Sequence, residues 1–219
     1  MNATLFPSNI DPRPAFAEVA AIATSTIAAV RVDQLDLPTA ADMSVVDLLG
    51  HLVMVGRRVA CAGRGDDPST WPGDLPTSWD GNSADFRNGD WVHAWASARD
   101  EALAAWSDDS ILTSERALPW TMTSGAEALA VYVNEVLVHT WDLARATGAE
   151  PTWSDDTIEM ADIAIRSQLP MADRRPMWDE AKKYMPAGFV WEDPFGNAVD
   201  VGADASALDK LVAWNGRQP

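Results

Sequence analysis

The sequence predicts an all-α fold, a four-helix bundle followed by a C-terminal extension. Four segments carry apolar residues at helical spacing, two of them open with capping-box patterns, and the longest is apolar on nearly every side around its middle. A chain of 219 residues fits one domain with a sizeable core. We therefore expect a single domain over 1–219, with the bundle core at about 10–150 and the extension at about 151–219.

The first two helices are predicted over residues 13–32 and 44–63. The first segment places apolar residues at helical spacing along its whole length. In the second, Ser44 followed by Asp47 resembles a capping box, and the apolar pattern ends near Gly63.

A long loop and a third helix follow. Residues 64–83 are rich in Gly, Pro, Asp, Ser and Asn, which is typical of an ordered loop, and long loops in compact domains are often functional. The third helix is predicted over about 90–107 because five small or aromatic residues form one stripe: Trp91, Trp95, Ala98, Ala102 and Trp106. We expect that stripe, like most of the 11 tryptophans, to face the core.

The fourth helix, over 125–147, is the best defined. Ser124 and Glu127 form a second capping-box pattern at its start. Gly148 suits the position after a helix end, and Pro151 prevents continuation. A helix that is apolar on almost every side belongs at the centre of a bundle.

The extension is predicted to contain short elements. A helix is expected over 154–169 and another over 205–216. Between them, the strand-like residues of 189–201 surround a turn and indicate a small β-hairpin.

Composition narrows the classes of function. A net charge of -17 and a pI near 4.3 would repel phosphate backbones, so no nucleic acid partner is expected. The sequence shows no signal-like start and no long uncharged apolar run, so we expect a cytoplasmic protein without a membrane span. Cys61 is the only cysteine, which excludes an intrachain disulfide and a CxxC site, and we interpret it as a small core residue.

A metal site is predicted from three residues. Glu135 and His139 are four residues apart on the fourth helix, so they share one face in an apolar setting, where a bound dication would stabilise the carboxylate. His51 lies in an apolar part of the second helix and can supply a third ligand. Such a set leaves a coordination position open, as in catalytic zinc sites, and it also suits iron or nickel. The alternative is that Glu135 and His139 form a buried hydrogen-bonded pair without metal. The remaining histidine, His93, is interpreted as a surface residue.

Several charged residues flank this group. Asp142 can orient a ligand histidine, since it follows His139 by three residues, or it can pair with Arg145 on the helix surface. Arg57 and Arg58 lie one to two turns beyond the second-helix histidine. They and Arg145 are candidates to contact a thiol cosubstrate or a substrate carboxylate, and the alternative is a solvated helix face.

Three segments, VVDLLGHLV, NEVLVHTWDLARATG and ALDKLVAWNGRQP, resemble an actinobacterial family of DinB-like metal-binding proteins. That family is related to the N-terminal domain of mycothiol-dependent maleylpyruvate isomerase. The resemblance implies a DinB-like four-helix bundle with metal ligands at His51, Glu135 and His139. It also implies that a low-molecular-weight thiol, mycothiol, coordinates as thiolate and attacks an electrophile. The isomerase carries a separate C-terminal domain to which residues 148–219 here cannot be matched.

The leading hypothesis is therefore a metal-dependent thiol S-transferase or isomerase-like enzyme, with zinc as cofactor and mycothiol as cosubstrate. Its expected partners are the small thiol and a small electrophile, and a homodimer is left open. The first alternative is a metal-dependent hydrolase in which the open position activates water. The second is a non-catalytic bundle that binds a metal or a small ligand.

Overall fold

The computed structural model describes residues 6–7, 10–72, 90–183 and 195–219. Over these ranges the chain is mostly helical, with one small antiparallel sheet, which confirms the predicted helical class. The elements are α1 (Arg13–Ala28), α2 (Val45–Arg64), α3 (Trp91–Ala105), α4 (Ser110–Thr113), β1 (Glu115–Leu118), β2 (Thr121–Ser124), α5 (Gly125–Thr147), α6 (Asp155–Gln168), α7 (Arg175–Lys182) and α8 (Ala207–Trp214).

Of the two predicted capping boxes, the structure shows the serine cap at the start of α2 and of α5. The Ser44 hydroxyl accepts a hydrogen bond from the Asp47 amide at 3.3 Å, and the Ser124 hydroxyl accepts one from the Glu127 amide at 3.2 Å. Each satisfies an amide that the first helical turn leaves unpaired. Gly148 ends α5 with a φ of 77°, a left-handed conformation that glycine adopts without strain.

Helix α1 is shorter than predicted, ending at Ala28 rather than at residue 32. The chain becomes extended at Arg31 and then forms a 3₁₀ turn over Val32–Gln34. The buried Gln34 amide nitrogen donates to the Thr147 carbonyl at 2.9 Å. This bond satisfies a carbonyl in the last turn of α5.

One hydrophobic core takes residues from α1, α2, α3 and α5 and also from α6 and α8. Helix α1 lies against α3 and α5, and α2 lies against the same two. The stripe on α3 faces inward as predicted: Trp95 and Trp106 are almost fully buried, and the Trp106 indole donates to the Val59 carbonyl of α2 at 2.8 Å. None of the helices in the described ranges has the length and apolar character needed to cross a bilayer.

The sheet is a hairpin that the sequence did not predict. Strand β1 pairs with β2 from Glu115 opposite Ser124 to Leu118 opposite Thr121. The hairpin leads directly into α5, where a side chain at Gly125 would lie 2.0 Å from the Ile111 carbonyl oxygen. Of the hairpin predicted over 189–201, residues 195–201 form no strand and the rest lies outside the described residues, as do 73–83 of the predicted loop.

The extension folds back onto the long helices. Helix α6 packs against α1 and α5, and Glu18 of α1 caps it: its carboxylate accepts from the Ser154 amide and hydroxyl, both at 2.6 Å, and from the Thr157 hydroxyl at 2.7 Å. The buried amides of Asn134 and Asn215 bond each other in both directions, at 3.1 and 3.0 Å. The C-terminal segment is thereby fixed against α5.

A buried arginine joins the remaining parts of the extension. Arg174, at the start of α7, is fully buried, and its guanidinium donates to the carbonyls of Gly196 and Trp214. The backbone amide of Arg174 also donates to the side-chain oxygen of Asn197 at 2.8 Å. These bonds hold residues 195–197 beside the end of α8.

Candidate metal centre

The three predicted ligands meet between α2 and α5. One Glu135 oxygen, Oε1, lies 3.4 Å from Nε2 of His51 and 3.4 Å from Nε2 of His139. The potential ligand atoms of all three residues lie within 4.8 Å of one another. Both histidines are buried, and the Glu135 side chain is 26% exposed. The described residues therefore contain a group that could hold a metal ion.

The spacing fits a metal better than it fits hydrogen bonds. Charge-assisted bonds between nitrogen and oxygen are usually about 2.7–2.9 Å long, shorter than the two 3.4 Å distances. Zinc binds these ligand types at about 2.0–2.2 Å, so neighbouring ligands of a tetrahedral site lie about 3.3–3.6 Å apart. The two distances from Glu135 to the histidine nitrogens match those between ligands around a small cation.

A carboxylate contacts the ring nitrogen of His139 that faces away from Glu135. This nitrogen, Nδ1, lies 3.1 Å from Oδ2 of Asp142, whose side chain is completely buried. Asp142 in turn accepts two hydrogen bonds from Arg217, at 3.2 Å from Nε and 2.9 Å from the terminal nitrogen. Of the two roles considered for Asp142, the contact with the ligand histidine is observed, and its arginine partner is Arg217.

His51 has no comparable support. Its Nδ1 is buried and finds no hydrogen-bond partner among the described residues. The ring is oriented by the contact of Nε2 with Glu135 and by packing: its centroid lies 4.6 Å from that of His139, at an angle of 73°. The two ligand histidines thus differ in what orients them.

Burial and hydrogen bonding act in opposite directions on these groups. Burial opposes the charged form of Glu135, but the bonds with His139 and His51 hold its pKa well below the usual value. Burial also opposes the charged form of His139, yet Asp142 and Glu135 raise its pKa to about 9. Without a metal, an imidazolium at His139 balances the carboxylates, and a divalent cation can take the place of that proton.

The group opens onto a cleft of about 830 Å³. Its lining comes from α2, α5, the loop before α2, the hairpin turn and the extension. The described lining residues outside the two helices are Ala40, Ala41, Asp42, Met43, Pro119, Trp120, Phe195, Gly196, Asn215, Gly216 and Arg217. A ligand can therefore reach the metal-binding atoms from solvent.

The predicted basic residues divide between two locations. Arg58 lines the cleft, and its Nε donates to the Pro72 carbonyl at 3.0 Å. Arg57 and Arg145 are exposed and lie outside the described lining; Arg145 sits over the Trp141 ring at 5.5 Å. Among the three candidates, Arg58 alone is placed to touch a bound ligand.

Two other predictions are confirmed by burial. His93 is exposed on α3, as expected for a surface residue. Cys61 is buried, and burial raises the pKa of its thiol, which disfavours the reactive thiolate.

Sequence reasoning missed Arg217 and Trp120. Arg217 lies 75 residues from Asp142, and no local spacing relates them. Trp120 was one tryptophan among many, and the hairpin that carries it was not predicted. The arginine lies within the C-terminal stretch that carries the family resemblance, which is the one sequence signal that could have drawn attention to it.

Comparison of the chain with protein-family models, with curated proteins and with solved structures finds no match.

Proposed function

We propose that this chain is a DinB-like, zinc-dependent thiol S-transferase or isomerase-like enzyme, in which a small thiol, mycothiol, attacks a small electrophile through its sulfur. The observation that carries the proposal is the convergence of His51, Glu135 and His139 on one point in the lining of an open cleft. Three protein ligands leave at least one position for an exogenous ligand, as in catalytic zinc sites.

The fold part of the proposal is a four-helix bundle formed by α1, α2, α3 and α5. Its support is the packing of α1 and α2 against both α3 and α5, with the ligands on α2 and α5. Metal sites in helical bundles are built from side chains on facing helices in this way.

The chain's own residues account for binding and orientation. His51, Glu135 and His139 would hold the ion through Nε2, a carboxylate oxygen and Nε2. The Asp142 carboxylate keeps the proton of His139 on Nδ1, which leaves Nε2 free to bind. Bound zinc favours a thiolate over a thiol at neutral pH.

A thiol supplied from outside is required by this chemistry. Cys61, the sole cysteine, is buried. The imported thiol would release its proton to solvent on binding, and its sulfur lone pair would form the bond to the electrophilic carbon. The electron pair displaced at that carbon would depart with a leaving group or, in an addition, would shift to a neighbouring atom that then takes up a proton. The cleft is large enough for both reactants, because small-molecule sites are commonly about 300–1,000 Å³.

The test is a thiol titration of protein loaded with Co²⁺ in place of zinc, followed by absorption and calorimetry. We expect mycothiol to produce a thiolate-to-cobalt absorption band, and the metal-free protein to bind none of it. His51→Ala should abolish the band, while His93→Ala, the matched change at an exposed histidine, should retain it.

The opposite results identify the alternatives. Equal thiol binding with and without metal, or no binding in either state, overturns the proposal. Hydrolysis of a test ester by the zinc-loaded protein without any thiol would support the hydrolase instead.

A further inference from the structure

Trp120 differs from the other tryptophans of the described chain. Five of them are buried: Trp91, Trp95, Trp106, Trp141 and Trp153. Trp120 is 60% exposed, yet its indole nitrogen donates to the Gln168 side chain at 3.1 Å, and the residue lines the cleft. An indole held at the mouth of a cleft in this way offers a flat apolar surface to a ligand.

Other apolar side chains line the cleft within one helical turn of the candidate ligands. Val131 and Tyr132 lie one helical turn before the α5 carboxylate ligand, and Val55 lies one turn after the α2 histidine; all three line the cleft. The hairpin carrying Trp120 leads directly into α5, and its first strand contacts both α2 and α5. We call these four residues the apolar end of the cleft.

Size and chemistry indicate what occupies the apolar end. The cleft, at about 830 Å³, is near the upper limit of common small-molecule sites, so it has room beyond the ligand bound at the metal centre. None of the four side chains carries a carboxylate or a cation. In an acidic chain of net charge -17, such a surface favours an uncharged apolar group over a charged one.

From this arrangement we propose that the apolar end binds an aromatic ring of the electrophilic substrate, with Trp120 as its specificity-determining residue. The inference rests on the proposed function in one respect, because that function identifies the molecule bound at the apolar end as the electrophile. The ring stacks against the indole while the reacting carbon faces the metal centre. Small electrophiles without a ring are then poorer ligands.

The test uses two unreactive probes, N-phenylsuccinimide and N-methylsuccinimide, titrated calorimetrically into the zinc-loaded full chain. We expect the phenyl compound to bind at least about 10-fold more tightly, because it buries a ring that the methyl compound lacks. Trp120→Ala should lower the affinity for the phenyl compound about 10-fold and leave that for the methyl compound unchanged. Trp120→Phe should restore most of the difference.

The matched control is Met122→Ala, because Met122 is 58% exposed on the same hairpin and lies outside the described lining. It should keep the preference for the phenyl compound. Equal affinities, no binding of the phenyl compound, or a preference that survives Trp120→Ala would overturn the inference. Neither probe is a thiol, so a failure of the thiol titration overturns the proposed function and leaves this result to be judged separately.

Discussion

The two histidines of the candidate metal centre are oriented by different means. His139 is tied through Asp142 to Arg217, a residue of the extension, by hydrogen bonds of 2.9 to 3.2 Å. His51 has a buried Nδ1 without a partner among the described residues, so its ring is oriented by packing and by the contact of Nε2 with Glu135. His139 is thus oriented by polar contacts that reach Arg217 of the extension, whereas the Nδ1 of His51 has no such support among the described residues.

The two histidines therefore differ in which of their properties the surrounding residues control. A hydrogen bond to the far nitrogen fixes the tautomer of a ligand histidine and increases its basicity. Packing fixes position alone. We therefore expect changes around His139 to alter metal affinity specifically, and changes around His51 to act mainly through the core.

The largest effect should come from removing either histidine. His139→Ala and His51→Ala should each weaken zinc binding by more than about 100-fold, since a lost ligand outweighs a lost second-sphere partner. In chelator-treated protein, His139→Ala should also be about 1–2 kcal/mol less stable than His51→Ala, because it removes a hydrogen bond from the buried Asp142. Zinc competition titrations and urea unfolding measure the two quantities.

The control for both variants is His93→Ala, which should bind zinc like the wild type. Equal stability of the two variants without metal would show that the polar contacts from His139 to Arg217 contribute nothing to the fold.

The next effect should follow from Asp142→Asn. The side chain keeps its shape but loses the charge that orients His139 and pairs with Arg217, so we expect zinc affinity to fall about 10–100-fold. Asp162→Asn is the matched change, because Asp162 pairs with Arg166 on the partly exposed face of α6. If Asp142→Asn leaves the zinc affinity unchanged, the hydrogen bond to His139 does not contribute to metal binding, and the proposed difference between the two histidines is wrong.

A smaller effect is expected at Glu18, which anchors the extension away from the metal centre. Burial opposes its charge, but the bonds from Ser154 and Thr157 lower its pKa below the ordinary 4.5. The stabilisation is therefore present above that value and is lost as the pH falls through the lowered pKa of the folded state. Glu18→Gln should cost about 1 kcal/mol at pH 7 and less in acid.

Urea unfolding at several pH values, with the exposed Glu159→Gln as control, checks this pH dependence. Zinc affinity at pH 7 should not change in Glu18→Gln. A large loss of zinc binding would mean that the whole extension, and not only Arg217, determines the geometry at His139.

The smallest effect should be that of Cys61→Ser, on the same helix as His51. The thiol is buried, so the variant should retain both the zinc stoichiometry and the thiolate-to-cobalt band on titration with mycothiol. A thiolate-to-cobalt band that is present before mycothiol is added and absent in Cys61→Ser would assign the sulfur to the protein and remove the need for an imported thiol.

The sequence predicted the parts of the site that depend on local spacing. Glu135 and His139 are one turn apart on a helix without a polar face, so their proximity followed from helical geometry. His51 required one further assumption, that α2 faces α5. Arg217 and the hairpin escaped prediction because each depends on distant contacts: the arginine on Asp142, 75 residues away, and the four-residue strands on pairing that carries little sequence signal.

The same long-range contacts determine when the site can form. His51 and Glu135 are 84 residues apart, and Asp142 and Arg217 are 75 apart, so the site requires the chain from residue 51 to residue 217 to be in place. Closing such loops has an entropic cost that is offset only once the helices are packed. Zinc capture should thus report completed folding, and zinc retention can be used to compare how fully each variant reaches the native state.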